Sequence, residues 1–119
     1  MADTVLILED AVFVREMEKK ILFEKDKQVV GESNSSAEGV QLYQKLRPQL
    51  VIVDLQLADG TGLEAMQAIS KIDDRARFLV ISSHTALLDG IEAELESRIV
   101  GRMRKPFTVD ELRTVLDQL

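Results

Sequence analysis

Three short apolar runs, VLIL (5–8), LVIV (50–53) and FLVI (78–81), are hydrophobic at every position, and each stops abruptly on polar residues. A strand with one wet face alternates apolar and polar side chains, whereas a strand covered on both faces has no reason to alternate. These runs therefore read as parallel strands lying beneath helices. With two less continuous segments they give five strands, at 4–9, 28–33, 50–54, 78–82 and 99–104.

The intervening segments carry helical periodicity. In 11–25, Val14, Met17 and Ile21 share one face, and Glu16, Glu18, Lys19 and Lys20 are expected around the remainder. Ser35 or Ser36 caps a helix running to about Leu46 and ended by Pro48, with Glu38 placed for a capping box if Ser35 is the cap. Leu63, Met66 and Ile69 line a third helix. Leu88, Ile91 and Leu95 line a fourth, in which an internal Gly90 costs about 1 kcal/mol relative to alanine. Leu112, Val115, Leu116 and Leu119 follow Thr108 at i, i+3, i+4 and i+7.

Strand and helix thus alternate five times without a linker or an internal repeat. Right-handed crossovers turn that order into an α/β fold, a five-stranded parallel sheet in a doubly wound, flavodoxin-like (βα)5 three-layer sandwich. A chain of 119 residues makes one domain, 1–119. It has no cysteine, which excludes disulfides, thiolate nucleophiles and zinc–thiolate sites. No apolar run approaches the roughly 20 residues needed to span a bilayer, and the first residues lack a basic leader, so a cytoplasmic protein with no membrane partner is expected. A net charge of −6 disfavours direct nucleic-acid binding by this domain.

Open α/β sheets bind ligands outside the carboxyl ends of their strands. Glu9-Asp10, Asp54 and Ser82 all fall there, and Lys105 directly follows the fifth strand. Carboxylates sharing a pocket repel one another, which raises at least one pKa unless a cation intervenes. A hard ion with oxygen ligands suits the set. Mg²⁺ fits a site that offers a few carboxylates and keeps several waters. A cation, a lysine and a hydroxyl converging on one carboxylate describe a cradle for a phosphoryl group, with that carboxylate as the nucleophile.

LILED (6–10), VIVDLQLADGTG (51–62), VISS (80–83) and RKPF (104–107) resemble, in order and spacing, the motifs of the response-regulator receiver family of two-component signalling. The resemblance spans essentially the whole chain. It implies that Asp54 is the phosphorylation site, taking its phosphoryl group from a sensor histidine kinase or a phosphotransfer protein. It also implies that Glu9, Asp10, Asp54 and the Gln56 carbonyl hold Mg²⁺, while Ser82 and Lys105 contact the phosphoryl oxygens. Pro106 matches the position of a cis Lys-Pro bond, and Gly62 matches a turn glycine. The implied activity is a switch that changes its binding to a downstream output domain or protein. It would catalyse its own phosphorylation and hydrolysis without being a turnover enzyme on an external substrate.

Several residues depart from the family's pattern. Glu9 stands where many relatives carry Asp, and one more methylene still allows coordination. Leu57-Ala58 lacks the usual proline, leaving the loop less restrained in the unfolded chain. Gln56 and His84 occupy the two positions that line the route of the hydrolytic water. Arg102 stands in place of the usual aromatic of the switch that Ser82 begins; flat and amphipathic, it can adopt two packings or lie solvated over the sheet edge, but it cannot bury as a phenyl ring does. Val12, Phe13 and Val14 cannot all face the core, so one of them either packs as a staple at the helix entry or contacts the kinase. A phosphorylation-independent module that docks or homodimerises around Arg102 and the fifth helix is the competing reading. A haloacid dehalogenase-like phosphatase would need an aspartate where Gln56 stands. A flavodoxin would need glycine and hydroxyl residues in place of EDAVFV (9–14).

Overall fold

The computed structural model describes residues 3–83 and 88–119. Strands β1 (Thr4–Leu8), β2 (Gln28–Ser33), β3 (Leu50–Asp54), β4 (Phe78–Ser82) and β5 (Ile99–Arg104) form one sheet in the order β2-β1-β3-β4-β5. Every pairing within it is parallel. Helices α1 (Val12–Glu24), α2 (Ser36–Leu46), α3 (Gly62–Ile72), α4 (Ala93–Glu96) and α5 (Val109–Asp117) connect the strands. A short antiparallel hairpin, Gln56–Leu57 with Gly60–Thr61, lies between β3 and α3. This is the expected doubly wound (βα)5 sandwich. No helix of the described residues is long and apolar enough to cross a membrane.

The period of two along each strand splits the core. Leu6, Leu8, Val51, Val53, Phe78 and Val80 pack with Tyr43, Met66 and Ile69 on the side of α2 and α3. Val5, Ile7, Ile52, Leu79 and Ile81 pack with Ile21, Leu22, Leu112 and Leu116 on the side of α1 and α5. Unbroken apolar runs are what a sheet with two such cores requires.

Helix ends follow local chemistry. Ser35 caps α2 by accepting from the Glu38 N–H. The box with Glu38 does not close, because the Ser35 N–H donates to Ser33 Oγ at 3.0 Å, and the next donors go to Asp59 from the loop before α3. Asp59 receives the Ser36 N–H at 2.6 Å, the Ala37 N–H at 3.1 Å and the Ser35 hydroxyl at 2.8 Å. These donors hold its carboxyl below the ordinary range, with the Ser36 N–H the largest contributor. Thr108 and Glu111 form the full capping box of α5.

Two expectations are corrected. The fourth helix begins only at Ala93, because Gly90 sits in a left-handed turn at φ 76°, outside the helix. Leu88 and Leu95 are nevertheless buried and Ile91 packs beside them, so the apolar pattern survives the change of conformation. On α1, Glu18 does not lie on the solvated face. It is fully buried beside Ile21 and Leu22, while Val14 and Met17 are only half-buried. Position 18 follows Val14 by four and precedes Ile21 by three, so helical geometry puts it on the same stripe.

Candidate functional site

Parallel pairing brings the ends of β1, β3, β4 and β5 to one edge of the sheet. Leu8 is registered with Val53, Asp54 with Ile81, and Ser82 with Arg104. Glu9, Asp54, Ser82 and Lys105 therefore meet there, although they are widely separated along the chain. Glu9, Asp54 and Ser82 are buried, Asp10 is exposed, and Lys105 is half-buried.

Lys105 is the hub. Its Nζ donates to Asp54 Oδ2 at 2.8 Å and to Glu9 Oε2 at 2.9 Å. Asp54 Oδ1 accepts the Gln56 N–H at 3.0 Å, so both oxygens of the carboxylate are held in place. Glu9 Oε2 also takes the Ala11 N–H at 3.0 Å. That bond comes at the start of α1, where Ala11 offers no side chain to cap the helix. The Lys105 N–H donates to the Ser82 carbonyl at 3.0 Å, which ties the lysine to the end of β4. Its peptide bond to Pro106 is cis, as the resemblance implied. The Ser83 hydroxyl reaches the Gln56 side chain at 3.5 Å. His84 lies outside the described residues.

Burial pushes the Glu9 carboxyl up; the Lys105 hydrogen bond opposes this and the nearby Asp54 adds to it. Lys105 is held above its ordinary value. Burial alone would lower it, but the bonds to Asp54 and Glu9 prevail.

Gly62 is needed for the tight return of the chain after Asp54. A Cβ there would stand within van der Waals overlap of the Asp54 carbonyl and of Val53. Its N–H donates to the Leu55 carbonyl at 3.0 Å, which closes the loop.

The donor set contains only oxygen, the kind a hard cation prefers. Among the described residues no three acidic, histidine or cysteine side chains stand close enough to enclose a metal by themselves. A site of one or two carboxylates completed by a backbone carbonyl and water is the regime of Mg²⁺ rather than of an all-protein cage. Glu9 Oε1 is compatible with that fit: it is buried and accepts no aligned hydrogen bond, although the Lys105 ammonium stands 2.9 Å from it as an ion pair.

Arg102 does not turn inward. It lies exposed at the sheet edge, and its guanidinium pairs with Glu96 of α4 at 3.1 Å. Val12 and Phe13 are exposed beside the acidic pair, Phe13 to 79%, while Val14 is half-buried. Sequence reasoning missed two contributors to this region. Asp59 anchors the loop that follows Asp54 onto α2, and Glu18 places a third buried carboxyl near the rim, in the electrostatic reach of Glu9, Lys105 and Asp54.

Comparison with known proteins agrees with this geometry. Residues 5–117 match the model of the response regulator receiver domain. The chain is 32% identical to the chemotaxis protein CheY of Bacillus subtilis, over 99% of this chain and 98% of that one. It superposes with a TM-score of 0.82 on a LuxR-family two-component response regulator from Aurantimonas, at 25% identity over 98% of this chain and 84% of that one. It has the same fold as the CheY of a CheX–CheY–BeF3–Mg complex from Borrelia burgdorferi, with a TM-score of 0.83, 18% identity, and coverage of 96% of this chain and 86% of that one. The chain belongs to the response regulator receiver domain family, the phosphoacceptor switches of two-component signalling.

Proposed function

We propose that Asp54 is the phosphoacceptor of this chain and that Glu9, Asp10, Asp54 and the Gln56 carbonyl hold Mg²⁺ beside it. The observation that carries the reading is Lys105, which bridges Asp54 and Glu9 across the sheet edge at 2.8 and 2.9 Å. The magnesium-containing complex of a fold relative is consistent with the metal assignment.

In-line transfer needs alignment and charge neutralisation more than covalent chemistry from the protein. An Asp54 oxygen attacks phosphorus as the bond from phosphorus to the donor's nitrogen or oxygen breaks, and the leaving group keeps the electron pair. Gln56 N–H and Lys105 fix the orientation of the attacking carboxylate before the donor arrives. Lys105 supplies a positive charge for the transferred oxygens, and Ser82, at the neighbouring strand end, supplies a hydroxyl. Bound Mg²⁺ would neutralise further charge on the transferring group. The product adds roughly −1.5 to −2 charge, taking phosphoserine as a guide, at a rim already crowded with carboxylates. That charge biases the surface formed by Ser82, β5 and Arg102.

The donor is a sensor histidine kinase or a phosphotransfer protein, with Val12 and Phe13 as an apolar contact beside the acidic pair. The reader is a downstream output domain or protein. Residues 1–119 act as one receiver unit in the cytoplasm, catalysing transfer to and hydrolysis from Asp54. Incubation with acetyl phosphate and Mg²⁺ is expected to phosphorylate the wild-type protein and to leave Asp54→Asn unmodified. No uptake by the wild type at saturating donor and metal sinks the reading.

A second reading is favoured by the outward placement of Arg102, paired with Glu96 instead of packed as a switch side chain. In it the face of Arg102 and α5 docks a partner or a second copy regardless of phosphorylation. Equal partner binding by wild type and Asp54→Ala supports it.

A further inference from the structure

Glu18 has no exposed surface, and among the described residues neither of its carboxyl oxygens has a hydrogen-bond partner. It lies on the buried face of α1, with Ile21 and Leu22. The charged groups that act on it converge from four elements: Glu9 after β1, Asp54 at the end of β3, Lys105 after β5, and Arg15 on its own helix. None of them pairs with it. Arg15 is committed to the Glu9 carbonyl at 3.3 Å and to Glu32 of β2 at 3.7 Å, and Lys105 to Glu9 and Asp54. Other charges on the packed helices are engaged elsewhere, Lys19 with Glu32, Arg113 of α5 with Glu24 and Lys25 with Asp117, while Lys20 lies on the exposed face of α1. Burial, with Glu9 second, pushes the Glu18 carboxyl up to about 9, so it carries its proton at neutral pH.

We propose that Glu18 is a proton-linked positioning residue for the cation site: a divalent ion bound at the rim drives its ionisation, and its proton leaves to solvent. The inference rests on the magnesium reading above. Its physical basis is the missing partner. A paired or solvated carboxylate would feel the cation only weakly, whereas a buried one, with no counter-ion paired to it among the described residues, feels the field through a medium of low dielectric. The cation makes the ionised form more favourable, so protons are released on binding and cation affinity rises with pH. Phosphorylation of Asp54 acts in the opposite direction, because added negative charge favours the protonated acid. Glu18 therefore makes the loading of the site depend on pH without touching the metal or the phosphoryl group.

The test is calorimetric titration of the full chain with magnesium chloride, in pairs of buffers that differ in ionisation enthalpy. Wild type, Glu18→Gln and Glu18→Leu are compared between about pH 7 and pH 9. A field that moves the Glu18 equilibrium by about one pH unit releases on the order of half a proton near pH 8.5, and tightens wild-type affinity about fivefold from pH 7 to pH 9. Both variants are expected to match the wild type near pH 7 and to lack that extra release and tightening. Protons displaced directly from Glu9 are common to all three proteins and cancel in the comparison. Equal release and equal pH slopes in wild type and Glu18→Gln overturn the proposal while leaving the metal site standing. Absence of magnesium binding in all three proteins overturns both. Circular dichroism and the Leu variant, which suits an apolar core, separate loss of linkage from loss of fold.

Discussion

Glu9 and Glu18 are both glutamates with almost no exposed surface, and both have carboxyls pushed upward by burial. Their surroundings are opposite. Glu9 has an ammonium at 2.9 Å and a backbone N–H at 3.0 Å, and it shares that ammonium with Asp54. Glu18 has no hydrogen-bond partner for either oxygen among the described residues. The difference shows what a buried charge requires. Where the sheet delivers a lysine to the same edge, two buried carboxyls are held by one shared ammonium. Where it delivers nothing, the carboxyl keeps its proton and behaves as a polar residue in an apolar stripe.

The comparison can be broken most severely at Lys105. Lys105→Met leaves Glu9 and Asp54 facing each other without their shared cation. Phosphoryl uptake from acetyl phosphate is expected to fall on the order of 10²-fold, read from the rate of acid-labile phosphate incorporation at fixed Mg²⁺. A rate within a factor of two of wild type removes Lys105 from the chemistry.

Glu18→Leu sharpens the unpaired half. The unfolded chain releases this proton near pH 4.5, while the folded protein keeps it to about pH 9. The folded state therefore binds more protons across that window, and stability falls as pH rises through it. The leucine variant is expected to be more stable by roughly 3 kcal/mol at pH 7 in metal-free buffer, and to lose that pH dependence. Urea denaturation at several pH values measures both. A wild-type profile flat between pH 5 and pH 8 contradicts the assignment.

The smallest effect belongs to an ion pair that water already screens. Arg102 and Glu96 are both substantially exposed. Arg102→Ala should change stability by less than about 0.5 kcal/mol, in the same denaturation experiment. A larger loss would mean that the arginine packs against the sheet edge as well as pairing there.

Much of the fold was legible because burial on both faces leaves a direct mark on sequence. The runs 5–8, 50–53 and 78–81 have no polar residue to hide. The α5 cap was equally direct, since Thr108 and Glu111 satisfy one another within a single turn. The fourth helix was not, because an apolar spacing that buries Leu88 and Leu95 is compatible with a helix or with a turn followed by a short helix. Gly90 at positive φ decided between them. Glu18 was misplaced for another reason. Glutamate is so rarely buried alone that its chemistry points to the solvated face, against its position on the stripe. Asp59 was overlooked because the donors it satisfies belong to a different helix.

The amino-acid sequence by itself determined the alternation of elements, the parallel sheet and the list of polar residues at strand ends. Those properties follow from periodicity and from the chemistry of neighbours along the chain. Only the tertiary structure decided that one ammonium bridges Glu9 and Asp54, that Arg102 turns outward to Glu96, and that Glu18 is sealed without a partner. Pairing energies depend on distance in space and on the exclusion of water, and a linear order of residues encodes neither until the sheet has assembled.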